Sequence, residues 1–151
     1  MGAFLPFFRN HCEVRAISQE PWSFGEKYEE IIKKYIELRY KFITHLYNLF
    51  YQTSETGIPL MRPLIMEFPE DEKCQNLSDQ FMLADSIMLA PVYQPDKKKR
   101  MIYLPAGKWI NFWTKEVYDG KEHIIVDAPL DTMPILIKAG SIVPLNETLN
   151  Y

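Results

Sequence analysis

The sequence predicts an α+β chain, a helical piece followed by an antiparallel β-sandwich. Three observations carry this. Apolar residues recur at helical spacing at Tyr28, Ile31, Ile32, Tyr35, Leu38, Phe42, Leu46 and Leu49. Beyond Gly57-Ile58-Pro59 the pattern changes to short apolar runs. Turn signals then recur at Pro105-Ala106-Gly107, Asp119-Gly120 and Ala139-Gly140. The change of character near Arg62 to Phe68 divides the chain into residues 1–66 and 67–151.

The first 24 residues read as a short strand and a loop. Ser23 with Glu26 three residues on forms a capping-box signature for the helix that follows. The helical pattern over 24–53 is long for one helix, so a bend near Tyr40 is expected. Gly57 with Pro59 is a stop signal. Residues 60–68 read as extended, Glu70-Asp71-Glu72-Lys73 as a solvated turn, and 78–84 as a short helical turn. Strands are expected at 87–93, 101–104, 108–113, 123–126, 134–137 and 142–145. The basic run Lys97-Lys98-Lys99-Arg100 reads as a hairpin tip rather than a phosphate or nucleic-acid site.

Composition narrows the classes. With 47% hydrophobic and 25% charged residues the 151-residue chain can bury a core. It is too short for a complete (β/α)8 barrel, which takes about 250 residues. Aromatics reach 14%, which fits large packing units and sugar-handling proteins alike. The net charge of −3, spread along the chain, offers no basic footprint for nucleic acid. No apolar run approaches the ~20 residues of a membrane span, so no membrane partner is expected. The apolar N-terminus is too short for a signal peptide and lacks a basic start. Cys12 and Cys74 make no disulfide framework; one bridge, or two reduced buried thiols, are the readings open.

Chemistry-bearing motifs are few. There is no Gly-rich phosphate loop, no His-Glu-x-x-His helix and no Cys-x-x-Cys pair. His11, His45 and His123 fall on different elements, so neither a metal nor a cofactor is expected. Asn76-Leu77-Ser78 and Asn146-Glu147-Thr148 match the glycosylation triplet, a pattern common by chance. A self-sufficient glycosidase would need two carboxyl groups, about 5–5.5 Å apart in a retaining enzyme. Glu13 and Glu20 are the nearest candidates, but Glu20 before Pro21 reads better as a loop anchor or cap. Asp127 and Asp131 flank Pro129 and read as turn carboxylates.

One cluster is more specific: Gly2-Ala3-Phe4-Leu5-Pro6-Phe7-Phe8-Arg9-Asn10-His11, followed by Gln19-Glu20-Pro21-Trp22-Ser23-Phe24-Gly25-Glu26. It resembles the end of the catalytic barrel of glycoside hydrolase family 31, the α-glucosidase and α-xylosidase family. The resemblance continues in order through Leu38-Arg39-Tyr40, His45-Leu46-Tyr47 and Gly57-Ile58-Pro59-Leu60-Met61-Arg62-Pro63-Leu64. Asp79-Gln80-Phe81-Met82-Leu83, Leu89-Ala90-Pro91-Val92, Trp109-Ile110-Asn111-Phe112-Trp113 and Ala139-Gly140-Ser141-Ile142-Val143-Pro144 resemble the β-domain that follows. Ala84 departs from the pattern, which commonly has Gly there.

The resemblance implies the last strand and helices of a (β/α)8 barrel in 1–66 and the proximal C-terminal β-sandwich in 67–151. It implies part of a retaining, exo-acting α-glycosidase acting on an oligosaccharide or α-glucoside. An α-glucosidase is the leading reading, with an α-xylosidase or a non-catalytic supporting module as alternatives. The family's two catalytic aspartates lie in motifs this sequence lacks, so no catalytic residue is assigned and the isolated chain is expected to be inactive. His11 matches the histidine that bonds the sugar in the −1 subsite. Arg9 is expected to hold an ion pair beneath it; Trp22 and Phe24 read as core packing, with walls of the site as the alternative. The expected partners are substrate and the remainder of the barrel. The apolar helical stripe also predicts self-association, a homo-oligomer among its outcomes.

Overall fold

The computed structural model describes residues 1–147; Thr148 of the second glycosylation triplet lies outside the described residues. The chain forms two compact units, one of Met1–Tyr51 joined by the segment from Pro144, the other Gln52–Val143. The change of character read near Arg62 to Phe68 falls inside the second.

In the first unit the short strand expected within the first 24 residues does not form: a 3-10 turn at Gly2–Phe4 leads into an irregular loop. A second 3-10 turn, Pro21–Phe24, leads into helix α1 (Glu26–Lys41). The expected capping box does not form. Pro21 starts a separate turn, and the Ser23 hydroxyl bonds back to Glu20 Oε2 at 3.0 Å. Gly25, at φ 90°, becomes the N-cap of α1. The long helical pattern breaks at Phe42, where α1 gives way to α2 (Ile43–Thr56). Phe42 is wholly buried and meets Phe4 edge-on, ring centroids 5.5 Å apart. The break therefore sits where the helical stripe meets the N-terminal turn. Gly57 ends α2 at φ 72°, donating to the Thr53 carbonyl at 2.8 Å. That is a left-handed C-cap, which glycine adopts without steric cost.

The second unit is an antiparallel sandwich. Its strands are β1 (Met61–Pro63), β2 (Phe81–Leu83), β3 (Ile87–Leu89), β4 (Lys99–Leu104), β5 (Lys108–Asn111), β6 (Val117–Asp119), β7 (Glu122–Asp127) and β8 (Ile135–Lys138). Six form one sheet in the order β1-β2-β3-β8-β5-β6, and β4 pairs with β7 in a two-stranded ribbon. Met82, Met88, Leu136 and Trp109 from the large sheet share one core with Ile102, Leu104 and Val126 from the ribbon. The alternate residues Leu83, Ile87, Leu89 and Ile135 are buried too, so the middle of the large sheet is covered on both faces.

Several local expectations are corrected. Residues 64–67 form a one-turn helix α3 (Leu64–Glu67) instead of extended chain, because Pro63, at φ −63° and ψ 153°, takes the extended backbone of an N-cap. Within 78–84 the chain forms strand β2, whose Met82 is paid out to the core by pairing with Met88. The basic run is no hairpin tip, since Lys99 and Arg100 open β4 and are matched by Asp127 at 3.8 Å and Asp79 at 2.7 Å. Residues 142–145 form no strand: the chain turns at Gly140, φ 87°, and Pro144 has no N–H to give a ladder. Cys74 is buried but Cys12 is exposed, and both thiols are free.

Candidate functional site

The loop bearing His11 is shaped from its two ends. At its start, Arg39 of α1 gathers the backbone carbonyls of the N-terminal segment. Its Nη1 donates to Ala3 O at 2.8 Å and Leu5 O at 2.7 Å, and Nη2 donates to Pro6 O at 3.2 Å. The same guanidinium lies 5.5 Å from the Phe8 ring centroid. A planar fork with several fixed donors suits a cluster of carbonyls that no helix or sheet satisfies. Burial lowers the Arg39 pKa, and the neighbouring Tyr40 offsets this in part.

At its other end, Asn10 Nδ2 donates to the Gln19 carbonyl at 2.9 Å and closes the 10–19 loop. The Ala16 amide donates to Glu13 O at 3.1 Å within it. Glu20 precedes the Pro21–Phe24 turn, and its carboxyl is held below the usual range, first by its own backbone N–H and then by the Ser23 hydroxyl. Together these residues surround an open concavity of about 530 Å³ lined by Asn10, Cys12, Glu13, Ile17, Gln19 and Glu20.

His11 stands between two lining residues, exposed, with no hydrogen bond or ion pair among the described residues. Glu13 and Glu20 share the concavity. Glu20 serves as the loop anchor expected of it. The ion pair expected of Arg9 is absent among the described residues; Arg9 is exposed and lies over the Phe7 ring at 5.6 Å. Arg39 does the anchoring instead. Trp22 and Phe24 are 66% and 50% exposed, so they do not pack in the core as expected. Val14 and Ile17 are 99% and 87% exposed, an apolar loop surface that favours a covering partner.

His45 is buried in α2, and His123 is exposed on β7 against the Tyr103 ring. Among the described residues no cluster of His, Cys, Asp or Glu could hold a metal ion. Asp131 is a turn carboxylate, accepting from the Thr132 hydroxyl at 3.3 Å. Sequence reading missed the role of Arg39. Its signal was an arginine on the half-buried face of an amphipathic helix, opposite a Pro-containing segment with unsatisfied carbonyls.

The comparisons agree over nearly all of the chain. The glycosyl hydrolases family 31 TIM-barrel domain matches residues 1–49, and the glycosyl hydrolase family 31 C-terminal domain matches residues 57–143. α-Glucosidase 2 of Bacillus thermoamyloliquefaciens is 49% identical over 147 residues, 97% of this chain and 19% of that protein. An α-xylosidase of Saccharolobus solfataricus is 36% identical over 95% of this chain and 20% of its own length. Among solved structures, a dextranase of Flavobacterium johnsoniae complexed with glucose superposes with a TM-score of 0.82 at 41% identity, covering 83% of this chain and 16% of that one. The cycloalternan-forming enzyme of Listeria monocytogenes, in complex with a pentasaccharide substrate, gives a TM-score of 0.92 at 31% identity over 97% of this chain and 15% of that one. The chain spans about one fifth of the length of the curated relatives it matches. With a barrel-domain match leading directly into a C-terminal-domain match on a helical unit and a β-sandwich, this chain belongs to glycosyl hydrolase family 31.

Proposed function

We propose that this chain works as part of a retaining, exo-acting α-glycosidase, an α-glucosidase that removes terminal α-linked glucose from oligosaccharides. The observation that carries the reading is the 49% identity to an α-glucosidase across 97% of the chain. The relatives bound to glucose and to a pentasaccharide support an oligosaccharide substrate. In this reading the division between the barrel piece and the sandwich falls between the end of α2 and Phe68. The remainder of a barrel covers the exposed loop and helical surface. Where that cover is missing, the same surface drives self-association.

His11 is the residue proposed to contact the sugar. In barrel enzymes the active site is built at the C-terminal ends of the strands. An exposed imidazole on the loop there can bond a sugar hydroxyl through one nitrogen while a neighbour fixes the other. The nucleophile and the acid/base are proposed to lie on aspartates outside these residues. The deciding experiment compares p-nitrophenyl α-glucoside with the α-xyloside. The 151-residue chain alone is expected to turn over neither. The complete glycosidase is expected to favour the glucoside in kcat/KM. Hydrolysis by the chain alone, abolished by a substitution within it, would overturn the reading. A preference for the xyloside would move it to the α-xylosidase alternative, for which the 36% identical relative speaks.

A further inference from the structure

We propose that the β-sandwich carries a carbohydrate-binding pocket beside α3, taking a neutral mono- or disaccharide. The pocket is a concavity of about 590 Å³ between the 67–73 segment and the turns that follow β4 and β6. That size falls within the usual range of small-molecule sites. Phe68, Pro69 and Ala106 give it apolar surface, and Glu70, Glu72 and Lys121 stand around it.

Its walls are fixed. Asp71 accepts the Tyr103 hydroxyl at 2.7 Å through one oxygen and the Lys73 amide at 3.1 Å through the other. Tyr103 is buried, and Lys73 Nζ sits 5.2 Å from its ring centroid. Gly120 passes so close beneath the Pro105–Gly107 turn that a Cβ there would strike the Pro105 carbonyl. Lys121 next to it holds φ 65°, a conformation unfavourable for lysine, with its amide bonded to Leu104 O at 2.6 Å. The two-residue turn between β6 and β7 thereby fixes where the Lys121 side chain leaves the backbone.

The charges select the ligand class. Glu70 and Glu72 are exposed and make no ion pair among the described residues, while Lys73 and Lys121 offer ammonium donors on the same rim. Glu67 is held by Arg62, so Glu70, Asp71 and Glu72 stand against Lys73 and Lys121: an anion would meet the carboxylates, and a cation would meet the lysines. A sugar hydroxyl both donates and accepts, so it can use both signs at once. Its C–H faces fit the apolar surface of Phe68, Pro69 and Ala106.

Hydrogen–deuterium exchange of the 151-residue chain with maltose tests this, because it reads segments separately and tolerates self-association. Millimolar maltose is expected to slow exchange several-fold in residues 67–75 and 103–107. The variant combining Glu70→Gln, Glu72→Gln and Lys121→Asn is expected to lose that slowing while keeping its near-ultraviolet circular dichroism. Asn is chosen because it tolerates the left-handed backbone. No slowing with maltose, or equal slowing in the variant, would overturn the proposal. So would slowing by calcium chloride or inorganic phosphate in place of maltose. Slowing confined to residues 10–21 would also overturn it, and would leave the reading of His11 standing.

Discussion

Arg39 Nη1 reaches the carbonyl oxygen of Leu5 at 2.7 Å, tying α1 to the segment that leads to His11. The same nitrogen bonds Ala3 O, and Nη2 bonds Pro6 O, so one guanidinium serves three backbone acceptors. Lysine at this position keeps the charge but loses the fork. Arg39→Lys is therefore expected to destabilise by about 1.5–3 kcal/mol, the range for hydrogen bonds to a charged group. Thermal melts check the size, and limited proteolysis of the 5–20 loop checks the location. A melt unchanged from the parent would contradict the clamp.

Gln80 and Tyr103 make a second such tie within the sandwich. Gln80 Nε2 donates to Tyr103 O at 2.7 Å, and the Tyr103 amide donates to Gln80 Oε1 at 3.0 Å. A side-chain amide thus pairs with β4 as a strand would. Asp79 beside it holds Arg100 at 2.7 Å. Gln80→Leu fills similar space but orphans two buried backbone groups, each at about 1–3 kcal/mol. Urea unfolding should show that loss, and Gln80→Glu should also lose stability at neutral pH, because its buried carboxylate would face the Tyr103 carbonyl oxygen. A leucine variant as stable as the parent would refute the pairing role.

Ala84, where the family resemblance expects glycine, has φ 51° and donates to Leu60 O at 2.6 Å. The left-handed conformation costs a Cβ-bearing residue about 1–2 kcal/mol. Ala84→Gly removes that cost while adding chain entropy to the unfolded state and losing one buried methyl. The expected outcome is a neutral or slightly stabilising change. Glycine placed inside a strand or helix typically loses about 0.5–1 kcal/mol. Chemical denaturation that finds a loss beyond that range would show that the turn strain is absent.

The helical spacing of Leu38, Leu46 and Leu49 was legible because one periodic face is buried. Gly57 was legible because left-handed backbone selects glycine. The start of α1 was not, since Ser23 and Gly25 both qualify as caps and only the preceding Pro21 turn decides between them. Strand β6 at Val117–Asp119 was missed because its residues are half-buried or exposed and leave no apolar run. Residues 78–84 misled because Gln80 is buried through its hydrogen bonds, which no polarity pattern reveals. In the candidate site, Arg9 and Arg39 are indistinguishable by composition. Their roles differ because only Arg39 lies on a packed helix face within reach of free carbonyls.

The two cysteines should separate chemically. Burial first, then the neighbouring Asp71, pushes the Cys74 thiol up to about 11, while Cys12 lies exposed. A thiol reagent at mild alkaline pH is expected to label Cys12 and spare Cys74 until the chain unfolds. The stability consequence has a definite sign. From the ordinary value of 9.0 up to about 11 the unfolded chain has released a proton that the folded chain keeps, so stability falls as pH rises. Tyr118, pushed up to about 12 by burial and Glu116, continues the trend above 10. Cys74→Ser should flatten the first part of this alkaline loss. An unchanged alkaline slope, or equal labelling of both thiols in the folded chain, would rule out the buried-thiol account.

His11 carries the proposed substrate contact, so its removal in the complete glycosidase is the most direct probe. A hydrogen bond to a sugar hydroxyl that strengthens as the oxocarbenium-like transition state forms lowers the barrier. Losing it and leaving a buried hydroxyl unpaired costs about 1–3 kcal/mol. Each ~1.36 kcal/mol is tenfold in rate. His11→Ala is therefore expected to reduce kcat/KM by roughly 10- to 100-fold with an unchanged melt, since the exposed imidazole holds nothing within the described residues. Against a deoxy-glucoside lacking the bonded hydroxyl, the reduction should shrink, because that substrate never made the bond. A histidine that merely braces the loop predicts another pattern: a lower melting temperature and equal losses on both substrates. Matched kinetics on parent and deoxy substrates, read beside thermal melts, separate the two. Equal losses would remove His11 from the sugar contact and return the loop's shaping to Arg39, Asn10 and Glu20 alone.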